Sequence, residues 1–178
     1  MSKAALRKEL AAFDAEQLRE LVLNVYDASK EAKAYLEFFL NPDAEALLQK
    51  KVEEINKELR RTKRGSYSKA RVSVIRKSIK EVESYGVGYR YVAKLMSTVI
   101  QLYMVNEKFV YYTATQENGL KRLVRDYLSL CTAHGEGLTA FETVKRYADD
   151  PRLCTNHMHR LMTGFVNSAL EELRTPLG

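Results

Sequence analysis

The sequence predicts an all-α fold, and three observations carry that prediction. Apolar residues recur at three- and four-residue intervals along most of the chain. Ser, Asp and Asn stand immediately ahead of several of these stripes, where a helix needs a side-chain acceptor for its first free N–H groups. The 178 residues include only eight glycines and three prolines, and most lie between stripes, which leaves little room for long coil.

The elements follow in order. Ser2 caps a short first helix carrying Leu6 and Leu10. Asp14 and Gln17 form a capping box, with Phe13 and Leu18 as the accompanying hydrophobic staple. The helix they open carries Leu18, Leu21, Val22, Val25 and Tyr26. Ser29 opens a third helix with Ala32, Tyr35, Leu36 and Phe39. Asn41-Pro42 ends it, and the same pair is expected to start the fourth helix as cap and first residue. That helix is expected to run from about Pro42 to Arg64, with Leu48, Val52, Ile55 and Leu59 on its inner face. Val72, Ile75, Ile79 and Val82 mark a fifth helix, closed by Gly86 and Gly88. The sixth is apolar nearly all round, through Val92, Leu95, Met96, Val99, Ile100 and Tyr103, so it is expected at the centre. Residues 106–118 have strand propensity around Phe109 to Thr113, but a lone strand has nothing to pair with, so helix tail and loop are expected. Leu120, Leu123, Val124, Tyr127, Leu128 and Cys131 belong to a helix ending at His134-Gly135. Phe141, Val144, Tyr147 and Ala148 give a short one before the Asp149-Asp150-Pro151 turn. Met158, Leu161, Met162, Phe165, Ala169 and Leu173 give the last. About eight or nine helices in a single domain spanning 1–178 are expected, with a basic Gly/Ser-containing link near 63–70, as a bundle or a short irregular superhelix.

Two cysteines make no disulfide framework, which fits a reducing cytoplasm. The opening MSKAALRKEL has no apolar stretch of the secretory kind, and no run approaches the ~18 apolar residues of a membrane span. No membrane partner is therefore expected.

The stretch from Ser2 to Pro42, with its Ser-Lys-x-x-Leu start, Glu-Gln-Leu helix and Tyr-Leu-Glu-Phe-Phe-Leu-Asn-Pro end, resembles the N-terminal signature of a bacterial family of small cytoplasmic helical proteins known only as a domain of unknown function. The resemblance implies an all-helical fold and brings no activity or site residues with it.

Charge is the most pointed functional signal. Residues 57–80 hold ten basic residues against the single acid Glu58, a net +9, so the other 154 residues carry −3. On one continuous helix Lys57, Arg60, Arg61 and Arg64 would share a face opposite Leu48, Val52, Ile55 and Leu59. With Lys63, Lys69 and Arg71 they form a candidate site for an anionic partner, nucleic acid among the possibilities, by counterion release and bidentate phosphate contacts. Ser66, Tyr67 and Ser68 offer hydroxyls, and Tyr67 a ring for stacking on a base. The competing reading is a solvated face with cations near a helix C-terminus.

Cys131-x-x-His134 and Cys154-x-x-His157 make a candidate tetrahedral zinc set, with Cys131 equally at home as a small core residue. No cofactor is otherwise implied. Eleven tyrosines and no tryptophan leave a second class open, a protein–protein adaptor using tyrosine-rich grooves between helices. No nucleophile elbow, HExxH or phosphate loop is present, so a helical-bundle enzyme ranks below a non-catalytic interaction module.

Overall fold

The computed structural model describes residues 1–62 and 67–174, with side chains as far as Ala169. Among the described residues it contains nine α-helices and no strand; the only extended pairings are two isolated bridges, Thr62 with Ser68 and Tyr67 with Tyr111. The all-α expectation therefore holds. No helix among the described residues is long and apolar enough to cross a membrane. The chain forms two compact units, Met1–Asp43 and Ala44–Gly178.

The first unit comprises α1 (Lys3–Leu10), α2 (Ala15–Ala28) and α3 (Lys30–Leu40). Its starts are the ones the sequence marks. Ser2 Oγ accepts from Ala5 N at 3.2 Å, and Ser29 Oγ accepts from Ala32 N at 3.2 Å. Asp14 Oδ1 accepts from Gln17 N at 2.8 Å while Gln17 Oε1 accepts from Asp14 N at 3.0 Å, the reciprocal box. Helices α2 and α3 pack on each other, and Tyr26 donates to Glu37 at 3.0 Å.

The second unit comprises α4 (Ala44–Leu59), α5 (Val72–Ser84), α6 (Tyr89–Asn106), α7 (Ala114–Ala133), α8 (Gly137–Asp149) and α9 (Asn156–Arg174). Helix α6 lies at its centre, packed against α4, α5, α7 and α8, as its apolar circumference requires. Leu95, Val99, Ile100, Tyr103 and Met104 are fully buried there, together with Ile55, Leu59, Leu120, Leu128, Met158 and Met162 from its neighbours. Leu173 lies outside the described side chains. Gly88 ends the α5–α6 turn at φ +83° and Gly135 ends α7 at φ +77°, a left-handed conformation that other residues adopt only under strain.

Helix α4 differs from expectation at both ends. It begins at Ala44, since Asn41 closes α3 and the chain from 41 to 43 is not helical. It stops at Leu59 instead of Arg64, because Glu58 draws the chain back on itself. The Glu58 carboxylate is buried, and it accepts from Arg71 N, Nε and Nη2 at 2.9 Å each and from Arg61 Nη1 at 3.2 Å. Lys69 N then donates to Arg61 O at 2.6 Å, and Ser68 Oγ to Leu59 O at 3.4 Å. A helix continuing to Arg64 would carry the chain away from its own end and leave Ser68, Lys69 and Arg71 too few residues to return to Leu59, Arg61 and Glu58.

Two stability predictions follow from these contacts. Hydrogen bonds from Arg71, with its charge and a further hydrogen bond from Arg61, hold the Glu58 carboxyl down to about 2 from its ordinary 4.5 against the upward push of burial. A depressed carboxylate stabilises the fold fully above its unfolded value and loses that contribution as pH falls toward its folded value. Glu58→Gln is expected to cost about 2 kcal/mol at pH 7, short of the ~3 that such a shift represents, because both arginines face solvent. The deficit should shrink by roughly half at pH 3 in urea melts; a gap independent of pH would show that Glu58 contributes no ion pair. At the α5–α7 contact, a Cβ on Gly119 would lie 2.8 Å from both methyl carbons of Val72. Overpacking of about 1–3 kcal/mol then outweighs the ~1 kcal/mol helix-propensity gain. Gly119→Ala is expected to destabilise by roughly 1 kcal/mol in the wild type and to stabilise in a Val72→Ala background.

Candidate anion-binding face

The end of α4, the link that follows it and the α6–α7 loop meet on one side of the second unit. Buried polar groups fix how they meet. Gln116, at the start of α7, accepts from Thr113 N at 2.9 Å through Oε1. Its Nε2 donates to Ser68 O at 3.2 Å and Ala70 O at 2.9 Å. Ser68 N donates to Tyr111 O at 2.9 Å, which is the Tyr67–Tyr111 bridge. The segment expected to lack a partner thus finds one in the link. Asn106, 2% exposed, donates to Asn56 Oδ1 at 3.2 Å and Leu102 O at 2.8 Å, and its Oδ1 accepts from Arg60 Nε at 3.3 Å.

These anchors decide which side chains face water. Val110 and Tyr112 are buried, and Tyr112 donates to Tyr103 O at 3.0 Å. The residues alternating with them point outward: Phe109 is 73% exposed and Tyr111 62%. Tyr67, 66% exposed, sets its ring 5.9 Å from that of Tyr111. Two clefts flank the loop. One, of about 340 Å³, is lined by Arg60, Thr62, Asn106, Phe109 and Val110. The other, of about 380 Å³, is lined by Glu107, Lys108, Phe109, Val110, Tyr111, Thr155 and His157. Lys108 Nζ donates to the carbonyls of Pro151 and Arg152, and its charge acts on the Asp150 carboxylate.

The expected basic residues fall into three groups. Arg61 and Arg71 are bound to Glu58, so their first role is to hold the link. Lys57, Arg60 and Lys69 are exposed, and no carboxylate pairs with them among the described residues. Lys63, Arg64 and Ser66 lie outside the described residues. Because α4 stops at Leu59, Arg60 and Arg61 lie beyond its end and do not continue the Lys57 face as a helical stripe. A third cleft, about 280 Å³ between α5, α6 and α7, balances Arg76 and Lys80 against Glu83 and Asp126, so it offers no net attraction to an anion.

The four candidate zinc ligands are not brought together. Cys131 and Cys154 are free, buried thiols; burial pushes Cys154 up to about 11 and raises Cys131 as well, so neither is a thiolate near neutrality. His134 stacks on Tyr89, with ring centroids 3.6 Å apart and planes at 5°. His157 Nε2 lies 3.0 Å from Glu117 Oε1. Among the described residues no three His, Cys, Asp or Glu side chains converge as metal ligands would.

Phe109, Tyr111, Asn106 and Lys108 are the members of this face that charge counting misses. The alternation that exposes Phe109 and Tyr111 and buries Val110 and Tyr112 exists only in the fold; four successive apolar or aromatic residues give no sign of it in the sequence.

Neither a curated protein nor a solved structure matches the chain. The sequence model for the Family of unknown function (DUF6155) matches residues 1–130. That span takes in Glu58, the basic link, the aromatic loop and Gln116, and since it is most of the chain, the protein belongs to DUF6155, a family of unknown function.

Proposed function

We propose that this protein is an interaction module that binds a single-stranded nucleic acid on the face built from the end of α4, the link and the α6–α7 loop. One observation carries the reading: Arg60, exposed and with no carboxylate partner among the described residues, lines a cleft with the exposed Phe109 ring, while the exposed Tyr67 and Tyr111 rings meet close by and Lys57 and Lys69 stand unpaired a few residues along the chain from Arg60 and Tyr67. Single strands are held by this combination, with cations tracking the phosphates and rings stacking on bases. A duplex would use the cations and leave the rings without bases to stack on. The link adds Lys63 and Arg64 to the local charge by sequence.

Fluorescence anisotropy with labelled single-stranded and duplex oligonucleotides between 50 and 200 mM salt tests the reading. Wild type is expected to favour the single strand and to weaken steeply with salt. Arg60→Glu combined with Lys69→Glu should lower affinity by at least about tenfold and reduce the slope of log K against log salt by about 2. Affinity that ignores both substitutions, or no binding at 50 mM salt, would remove this function. A nuclease-resistant protein partner captured under the same conditions would favour the adaptor reading instead.

A further inference from the structure

Phe109 is the common wall of the two clefts. Only Phe109 and Val110 line both, and Val110 is buried, so the Phe109 ring is the ridge that divides them. The ridge is held in place: Phe109 N and Val110 N both donate to Asn106 O, at 2.9 and 3.1 Å, and Val110 and Tyr112 anchor the following residues in the core. Phe109 does not stand alone: the exposed rings of Tyr111 and Tyr67 share the face with it, and such a grouping, unlike a lone exposed side chain, marks a contact surface.

We propose that two consecutive bases of a bound single strand sit in the two clefts, with the Phe109 ring inserted between them. This rests on the nucleic-acid reading above and names how the same face takes the strand. The clefts, at about 340 and 380 Å³, stand at the low end of the ~300–1,000 Å³ range of small-molecule sites, room for one planar base each. Inserting a ring doubles the ~3.4 Å spacing of stacked bases to roughly 7 Å, an extension open to a single strand but costly to a duplex. Each cleft also carries a group that answers a base edge, and the first carries one for a phosphate. In the first, the Asn106 Oδ1 lone pair left after Arg60 can accept from an exocyclic amine, and the Arg60 charge faces the backbone. In the second, Glu107 accepts from Thr155 and supplies a carboxylate for a base amine, while Lys108 on the same lining balances its charge, so this cleft takes a base and not a phosphate.

The chain contains no tryptophan, so Phe109→Trp gives a single indole reporter at the ridge. On adding an oligothymidylate of about ten nucleotides, that indole emission is expected to be quenched, while an abasic strand of equal length leaves it unchanged. Phe109→Ala is expected to weaken oligonucleotide binding about tenfold with the salt slope unaltered, since stacking is lost and phosphate contacts remain. Anisotropy on the same samples separates the two claims. A strand that binds without quenching the indole, or that binds the Phe109→Ala variant as tightly as wild type, overturns the insertion and leaves the proposed function standing. No binding of any strand overturns both, as does binding of an acidic peptide where no oligonucleotide binds.

Discussion

A buried carboxylate with four hydrogen bonds and two arginines sets the course of the chain through the second unit. Glu58 takes Arg71 by its backbone and by both edges of its guanidinium, and takes Arg61 besides. Leaving such a group unpaired in the interior would cost several kcal/mol, so the link must return to it. That return ends α4 at Leu59, brings Ser68 under the helix end and delivers Arg71 to the start of α5. A single acid among ten basic residues thus serves as the fixed point around which the others are arranged.

Beyond Glu58 the same logic is carried by neutral groups. Gln116 bonds three backbone groups from two separate segments, and Asn106 joins α4 to α6. Each is buried and each has its amide hydrogen bonds made, which is the condition under which polar groups inside a core fix one arrangement over others. The outcome at the surface is geometric. Tyr67 and Tyr111 come together, Phe109 lines both clefts, and Arg60, which Glu58 does not claim, lines one of them.

This division of labour qualifies the electrostatic reading. A net +9 over residues 57–80 overstates what an anion meets, because Arg61 and Arg71 share their charge with Glu58, and Arg76 and Lys80 line a cleft containing Glu83 and Asp126. The positive potential that remains is concentrated at the helix end beside the aromatic loop. On the proposed reading, binding energy there would come from few cations and several rings, stacking adding to charge.

Local chemistry determined most of the helices. The Asp14–Gln17 box, the Ser2 and Ser29 caps, the glycine turns and the stripe of α6 depend on neighbours within a turn or two, so their signals are contained in short windows of sequence. The basic segment was legible for the same reason, as a count of charges. The end of α4, the use of Arg61 and Arg71 as structural partners and the assembly of Phe109 with Tyr67 and Tyr111 were not. Each depends on residues far apart in the chain, Glu58 with Arg71, Gln116 with Ser68, Tyr67 with Tyr111, and periodicity carries no information about such pairs. The sequence by itself determined a helical chain with one basic stretch; tertiary structure decided which of those charges are occupied and which aromatic rings stand beside the rest, because burial of Glu58 and Gln116 is satisfied only by bringing those segments together.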